Sequence, residues 1–123
     1  MNELIISDSE KEILDWMWKE NKEYSYREIY QKFGENSDKG WKKQTLSTFL
    51  TRMERKGVIQ KSKKGNKYCY RISLDEKQYK RKRAKMILDS YFNGSLNEFM
   101  VALTGGTSLR DDEADELRKF LED

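Results

Sequence analysis

The stretch "GWKKQTLSTFLTRMERKGVI", residues 40–59, decides the fold. Leu46, Phe49, Leu50 and Met53 fall at i, i+3, i+4 and i+7, which puts them on one side of an α-helix. Gln44, Thr48, Thr51 and Arg55 fall on the opposite side, flanked by Thr45, Ser47 and Arg52. The stretch has a single acid, Glu54, and no His or Cys. Gly57 follows the last apolar position, with Arg55 and Lys56 in the final turn. Gly takes a left-handed closing conformation without steric cost, and cations favour the negative end of the helix dipole. The expectation is a helix over about 42–56 whose exposed face is built of hydrogen bonders and cations. Such a face fits a nucleic acid. Gln pairs bidentately with an adenine edge, Ser and Thr hydroxyls reach base edges or phosphates, and a Thr methyl meets a thymine methyl. Lys42, Lys43, Arg52 and Arg55 suit phosphate oxygens.

Upstream, residues 7–21 open on Ser and Asp cap candidates with acids in the first turn, which favours a helix start. Ile13, Leu14, Met17 and Trp18 give this first helix an apolar face. Residues 25–33 begin with Ser25 and carry Glu28 three positions later, a capping box. Ile29, Tyr30 and Phe33 supply the core side of this second helix. "GENSDKG", 34–40, reads as a turn.

Downstream, "VIQKS" and "KYCYRIS" flank "KKGN", the pattern of a β-hairpin with a cationic tip. Val58, Ile59, Tyr68, Tyr70 and Ile72 are its expected buried or half-buried members. Three amphipathic helices are expected beyond it, at about 75–92, 96–104 and from Ser108, a cap candidate, to the end. "NGS" and "GGTS" separate them. Short amphipathic helices need a surface to bury against, so residues 75–123 read as an oligomerisation unit, most simply a two-fold dimer. Candidate contacts are Leu88, Tyr91 and Phe92 in the first helix and Leu96, Phe99, Met100 and Leu103 in the second. Leu117, Phe120 and Leu121 supply them in the third.

Charge is distributed unevenly over the 123 residues. The net +3 conceals seventeen Lys/Arg against three Asp/Glu in residues 39–85, between acidic ends. A basic middle calls for a polyanion partner. No apolar run approaches a membrane span, and "MNELIISDSE" lacks the order of a signal peptide, so a cytoplasmic protein without membrane insertion is expected. The absence of His removes Ser-His and Cys-His catalytic pairs. Cys69 stands alone, which rules out an internal disulfide and a Cys-rich metal site. "RDDEADE", 110–116, is best taken as acids complementing a helix dipole. No enzyme activity, metal or cofactor is expected.

The order helix, helix, polar helix, basic hairpin is that of a winged helix-turn-helix, with the third helix lying in a DNA major groove. The hairpin tip, "KSKKGNK" at 61–67, would rest on phosphate or the adjacent minor groove. The fold class is therefore mainly α with a small β-hairpin wing. Residues 1–74 form the DNA-binding domain and residues 75–123 the helical dimerisation domain. The competing reading is a winged-helix adaptor that docks an acidic protein. RNA fits less well, because the aromatics sit at core spacing.

"ISDSEKEILDWMW", "QTLSTFLTRMERKGVI" and "NKYCYRIS" resemble the BlaI/MecI/CopY family of bacterial repressors over nearly the whole chain. Trp18 and Trp41 also fall where that family tends to carry Trp. The resemblance implies a dimeric winged-helix repressor on palindromic double-stranded operator DNA. It makes Lys43, Gln44, Thr45, Ser47, Thr48 and Arg52 operator-contact candidates and Lys63, Lys64 and Lys67 wing candidates. In the β-lactam branch a membrane sensor-protease triggers cleavage at an Asn-Phe bond in the dimerisation region. Here Ala102-Leu103 occupies that spot, and Asn-Phe is missing. The closely spaced C-terminal Cys residues of the copper-responsive branch are absent.

Overall fold

The computed structural model describes residues 5–106 and 110–122, the side chains of 120–122 excepted. The chain divides into two compact units, residues 1–83 and 84–123.

The first unit opens with α1, Asp8–Glu20, and α2, Tyr26–Phe33. Both helices begin with complete capping boxes. Ser7 and Ser25 hydroxyls accept from the Glu10 and Glu28 N–H groups, and those glutamates accept from the serine N–H groups. α3, Lys43–Arg55, ends as its sequence predicts. Gly57, at φ 81°, donates to the Glu54 carbonyl at 3.0 Å, and Val58 donates to Met53 at 3.1 Å. That pair of bonds is a Schellman closure, for which glycine is the unstrained residue.

The hairpin pairs β2, Ile59–Lys64, antiparallel with β3, Lys67–Ile72. A third strand joins it that the sequence did not reveal. β1, Tyr24–Ser25, pairs with Tyr70 and Cys69, giving the order β1-β3-β2. Two residues are too few to show an alternation.

The core gathers Ile13, Leu14 and Met17 from α1, Ile29 and Phe33 from α2, and Leu46, Leu50 and Met53 from α3. Val58, Ile59 and Tyr70 close it from the sheet side. Tyr68, expected to be buried or half-buried, is 45% exposed. It pairs with Lys63 near the hairpin tip, past the reach of the core, so alternation alone did not bury it. Trp41 stacks on Phe33 at 5.3 Å and meets Phe49 edge-on at 5.0 Å, anchoring the turn that feeds α3. Gly34 fits that turn because a Cβ there would run into the Tyr30 carbonyl and ring.

α4, Glu76–Phe92, begins with Asp75 and Gln78 capping each other's N–H groups. Its first turns belong to the N-terminal unit. Tyr79 is 7% exposed and lies 5.5 Å from Trp18, whose indole donates to the Leu74 carbonyl at 2.9 Å. The division falls inside α4, between Arg83 and Ala84.

The second unit continues α4 and adds α5, Leu96–Thr104, and α6, Asp111–Glu122. Ser95 caps α5, and Gly105 ends it in left-handed conformation at φ 69°. Phe92 and Phe99 pack edge-on at 5.4 Å. No described residue from 84 onward is buried. Ser108 and the side chains of Phe120 and Leu121 lie outside the described residues.

Candidate nucleic-acid interface

α3 carries its apolar stripe into the core and leaves the opposite face open. Gln44, Ser47, Thr48, Thr51, Arg52 and Arg55 line one shallow depression on that face. Thr45, Lys42 and Lys43 are exposed at its N-terminal end, though outside that depression. Lys42 occupies the cap position with no side-chain cap bond, and the first turn holds no acid. The leading N–H groups therefore remain directed at an incoming anion.

Local bonds already commit some of these side chains. Thr48 Oγ1 donates to the Gln44 carbonyl at 2.9 Å. The Lys43 ammonium lies 5.6 Å from the Tyr30 ring centroid, within cation–π range. Tyr26 joins the site without any local sequence signal that marks it. Its hydroxyl donates to the Lys43 carbonyl at 3.1 Å, and Ser47 Oγ lies 3.3 Å from it. Only the packing of α2 on α3 brings these residues together, across 17 and 21 positions of sequence.

The far end of α3 is held by an ion pair. Lys56 Nζ meets Glu10 Oε1 at 2.7 Å, and Glu10 is 1% exposed. Burial alone raises the Glu10 carboxyl. The Lys56 ammonium together with the Ser7 N–H and hydroxyl outweighs that and holds its pKa below the ordinary 4.5.

In the wing, the expected lysines separate onto two faces. Strand alternation puts Lys61 and Lys63 on the face of Ile59 and Tyr70, and Lys64 and Lys67 on the other. The Tyr68 ring centroid lies 4.2 Å from Lys61 Nζ and 5.6 Å from Lys63 Nζ. Lys61 and Tyr68 thus join Lys63 on one aromatic-cationic patch, while Lys67 shares the opposite face with Lys64. Lys64 is engaged elsewhere: its Nζ donates to Glu23 at 2.6 Å, and that bond raises its pKa. Cys69, half-way along β3, is buried and unpaired. Among the described residues no cluster of His, Cys, Asp or Glu is arranged to hold a metal, and no helix is long and apolar enough to cross a membrane.

In the second unit, Ala84, Ile87, Leu88, Leu96 and Phe99 line an apolar groove with the stem of Lys85. Tyr91, Leu96, Leu103 and Leu117 are exposed, and Leu88, Phe92, Phe99 and Met100 are half-buried. Ala102 and Leu103 are both exposed in the last turns of α5.

Three helices closed by a cationic β-hairpin, with a polar third helix open to solvent, define a winged helix-turn-helix protein. The profile of the penicillinase repressor family matches residues 6–123, and the chain belongs to that family. It is 28% identical to the penicillinase repressor of Bacillus licheniformis, covering 96% of this chain and 90% of that one. It is 31% identical to the penicillinase repressor of Staphylococcus aureus, covering 96% and 91%. Methicillin resistance regulatory protein MecI of Staphylococcus aureus is 28% identical over 94% of this chain and 92% of its own. The solution structure of the DNA-binding domain of the repressor BlaI matches with a TM-score of 0.52 and 30% identity, over 60% of this chain and 87% of that one. The chain is accordingly a transcriptional repressor and not an enzyme.

Proposed function

We propose that two copies of the chain occupy a palindromic operator, with α3 of each copy in a major groove and the wing on the flanking backbone. The observation that carries this reading is the face of Gln44, Ser47, Thr48, Thr51, Arg52 and Arg55, six donors, acceptors and cations with no carboxylate among them. Gln44 and Ser47 are assigned to base edges. Lys42, Lys43, Thr45, Arg52 and Arg55 are assigned to phosphates near the open end and flanks of α3, and Lys61 with Lys63, which share one face of the hairpin, to the wing contact.

The homodimer is supported by the second unit. Tyr91 is 77% exposed, Leu96 64% and Leu103 60%. Apolar side chains left open in one small unit mark a surface that binds another chain. The same reading has repression relieved by a sensor-protease that cuts at Ala102-Leu103. Support comes from exposure of both residues near the end of α5, where a helix opens at least cost.

Genomic fragment capture with the purified protein at physiological salt tests the proposal. An enriched palindrome upstream of a β-lactamase or penicillin-binding-protein gene is the expected result. If a folded dimer enriches no sequence, the operator reading is lost and an acidic protein partner takes its place. Mass spectrometry of the chain from β-lactam-treated cells tests the cleavage. A chain that stays intact through induction removes it.

A further inference from the structure

Ser47 and Thr48 are neighbours on the exposed side of α3, yet their hydroxyls are engaged in different ways. Thr48 donates back to the carbonyl one turn earlier, the usual resting place of a helical hydroxyl. The equivalent acceptor for Ser47 is the Lys43 carbonyl, which the Tyr26 hydroxyl already takes at 3.1 Å. A phenol has one proton, and a carbonyl has none to give. The Tyr26 proton therefore points to Lys43, and in the 3.3 Å contact between Ser47 and Tyr26 the serine must be the donor. The single Ser47 proton is committed, and only its lone pairs are left to face outward.

We infer that Tyr26 is a positioning residue that makes Ser47 a pure acceptor and thereby sets which base edge Ser47 reads. The inference rests on α3 lying in the major groove. An acceptor pairs with the exocyclic amino group of A or C and is repelled by T O4 and by G O6 and N7. It is repelled equally by phosphate oxygens, so Ser47 belongs to a base edge and not to the backbone. The grip on Ser47 is stiff. Tyr26 stacks on Tyr30 at 6.3 Å and 7°, and Lys43 sits over Tyr30. Two tyrosines one turn apart on α2 thus hold the first turn of α3.

Selection from randomised duplexes with the full-length chain, Tyr26→Phe and Ser47→Ala tests this. At one position in each half-site the unaltered chain should prefer A or C to T or G on the strand facing Ser47. The preference should be about three- to tenfold, the size of one hydrogen bond. Ser47→Ala should abolish it. Tyr26→Phe keeps the ring and its stacking but frees the Lys43 carbonyl, so the Ser47 hydroxyl should turn back onto it, re-aim its lone pairs and weaken the preference at that same position alone. An unchanged Tyr26→Phe profile overturns the inference. So does an even loss across the whole site, which is what loosening α2 from α3 would produce. If Tyr26→Phe does not fold, Ser47→Ala decides: an unaltered profile there overturns the inference as well. Absence of any enriched sequence with the unaltered chain refutes the operator reading on which this one stands, and is told apart by that control.

Discussion

The Glu10 carboxylate and the Lys56 ammonium meet at 2.7 Å, and so join the first turn of α1 to the end of α3. The carboxylate is buried, while Lys56 keeps 22% of its side-chain surface. The same Oε1 accepts from the Ser7 N–H at 2.7 Å, so one oxygen both caps α1 and holds the end of α3.

Removing the cation leaves a buried carboxylate without its partner. Lys56→Ala should destabilise the N-terminal unit by about 2–4 kcal/mol, at the low end for a broken buried pair because Lys56 is partly solvated. Urea unfolding with an unchanged slope would read that loss. A change under about 0.5 kcal/mol would demote the pair to a surface contact.

The acid limb of stability should carry the signature of Glu10. Its folded pKa lies below 4.5, so its contribution is present above 4.5 and is lost as pH falls below it. Glu10→Gln should flatten the stability curve as pH falls below 4.5, while lowering stability at neutral pH. An acid limb of unchanged steepness would place the acid sensitivity in other carboxylates.

Tyr70 governs the alkaline limb. Burial, with Glu54 nearby, pushes its phenol from 10.0 up to about 12. Below pH 10 both folded and unfolded chains hold the proton, and the term is silent. From 10 to 12 the unfolded chain releases it first, so stability should fall by roughly 2 kcal/mol as pH rises through that window. Tyr70→Phe should remove this fall. An identical decline in Tyr70→Phe would assign it to the lysines.

For the wing, Lys61→Ala combined with Lys63→Ala should weaken operator and random duplex alike, and reduce the salt slope by about two. Glu23→Gln should do the reverse, because it frees Lys64 from its 2.6 Å partner and adds a cation to the tip. Fluorescence anisotropy over a salt series distinguishes them. A Glu23→Gln slope equal to that of the unaltered chain would keep Lys64 off the DNA.

The proposed dimer surface is best probed at Leu96, the most exposed large apolar side chain of the groove. Leu96→Asp should yield monomers by light scattering and lose at least tenfold in operator affinity, since each half-site then binds alone. A dimer that survives this change would move the interface away from the α4–α5 groove.

Much of this molecule is legible along the chain, because its signals act within a few residues. The capping boxes at Ser7 and Ser25 reach three positions, the apolar stripe of α3 repeats every turn, and Gly57 and Val58 close that helix by donating to Glu54 and Met53. The exposed face of Gln44, Thr48 and Arg52 follows from that same period, and the cationic tip from its Lys-rich composition. Pairings over long sequence separations left no such trace. β1 is two residues long, and it exists only because Tyr70 and Cys69 pass beside it. Tyr68 obeys the alternation of a buried strand, yet stands in solvent where the hairpin outruns the helices. Glu23 neutralises a wing lysine 41 positions away, and Tyr26 accepts a hydrogen bond from a serine 21 positions away. Such bonds depend on the core of Ile13, Leu46 and Leu50, since their partners meet through the packing of whole elements and no local pattern encodes that approach.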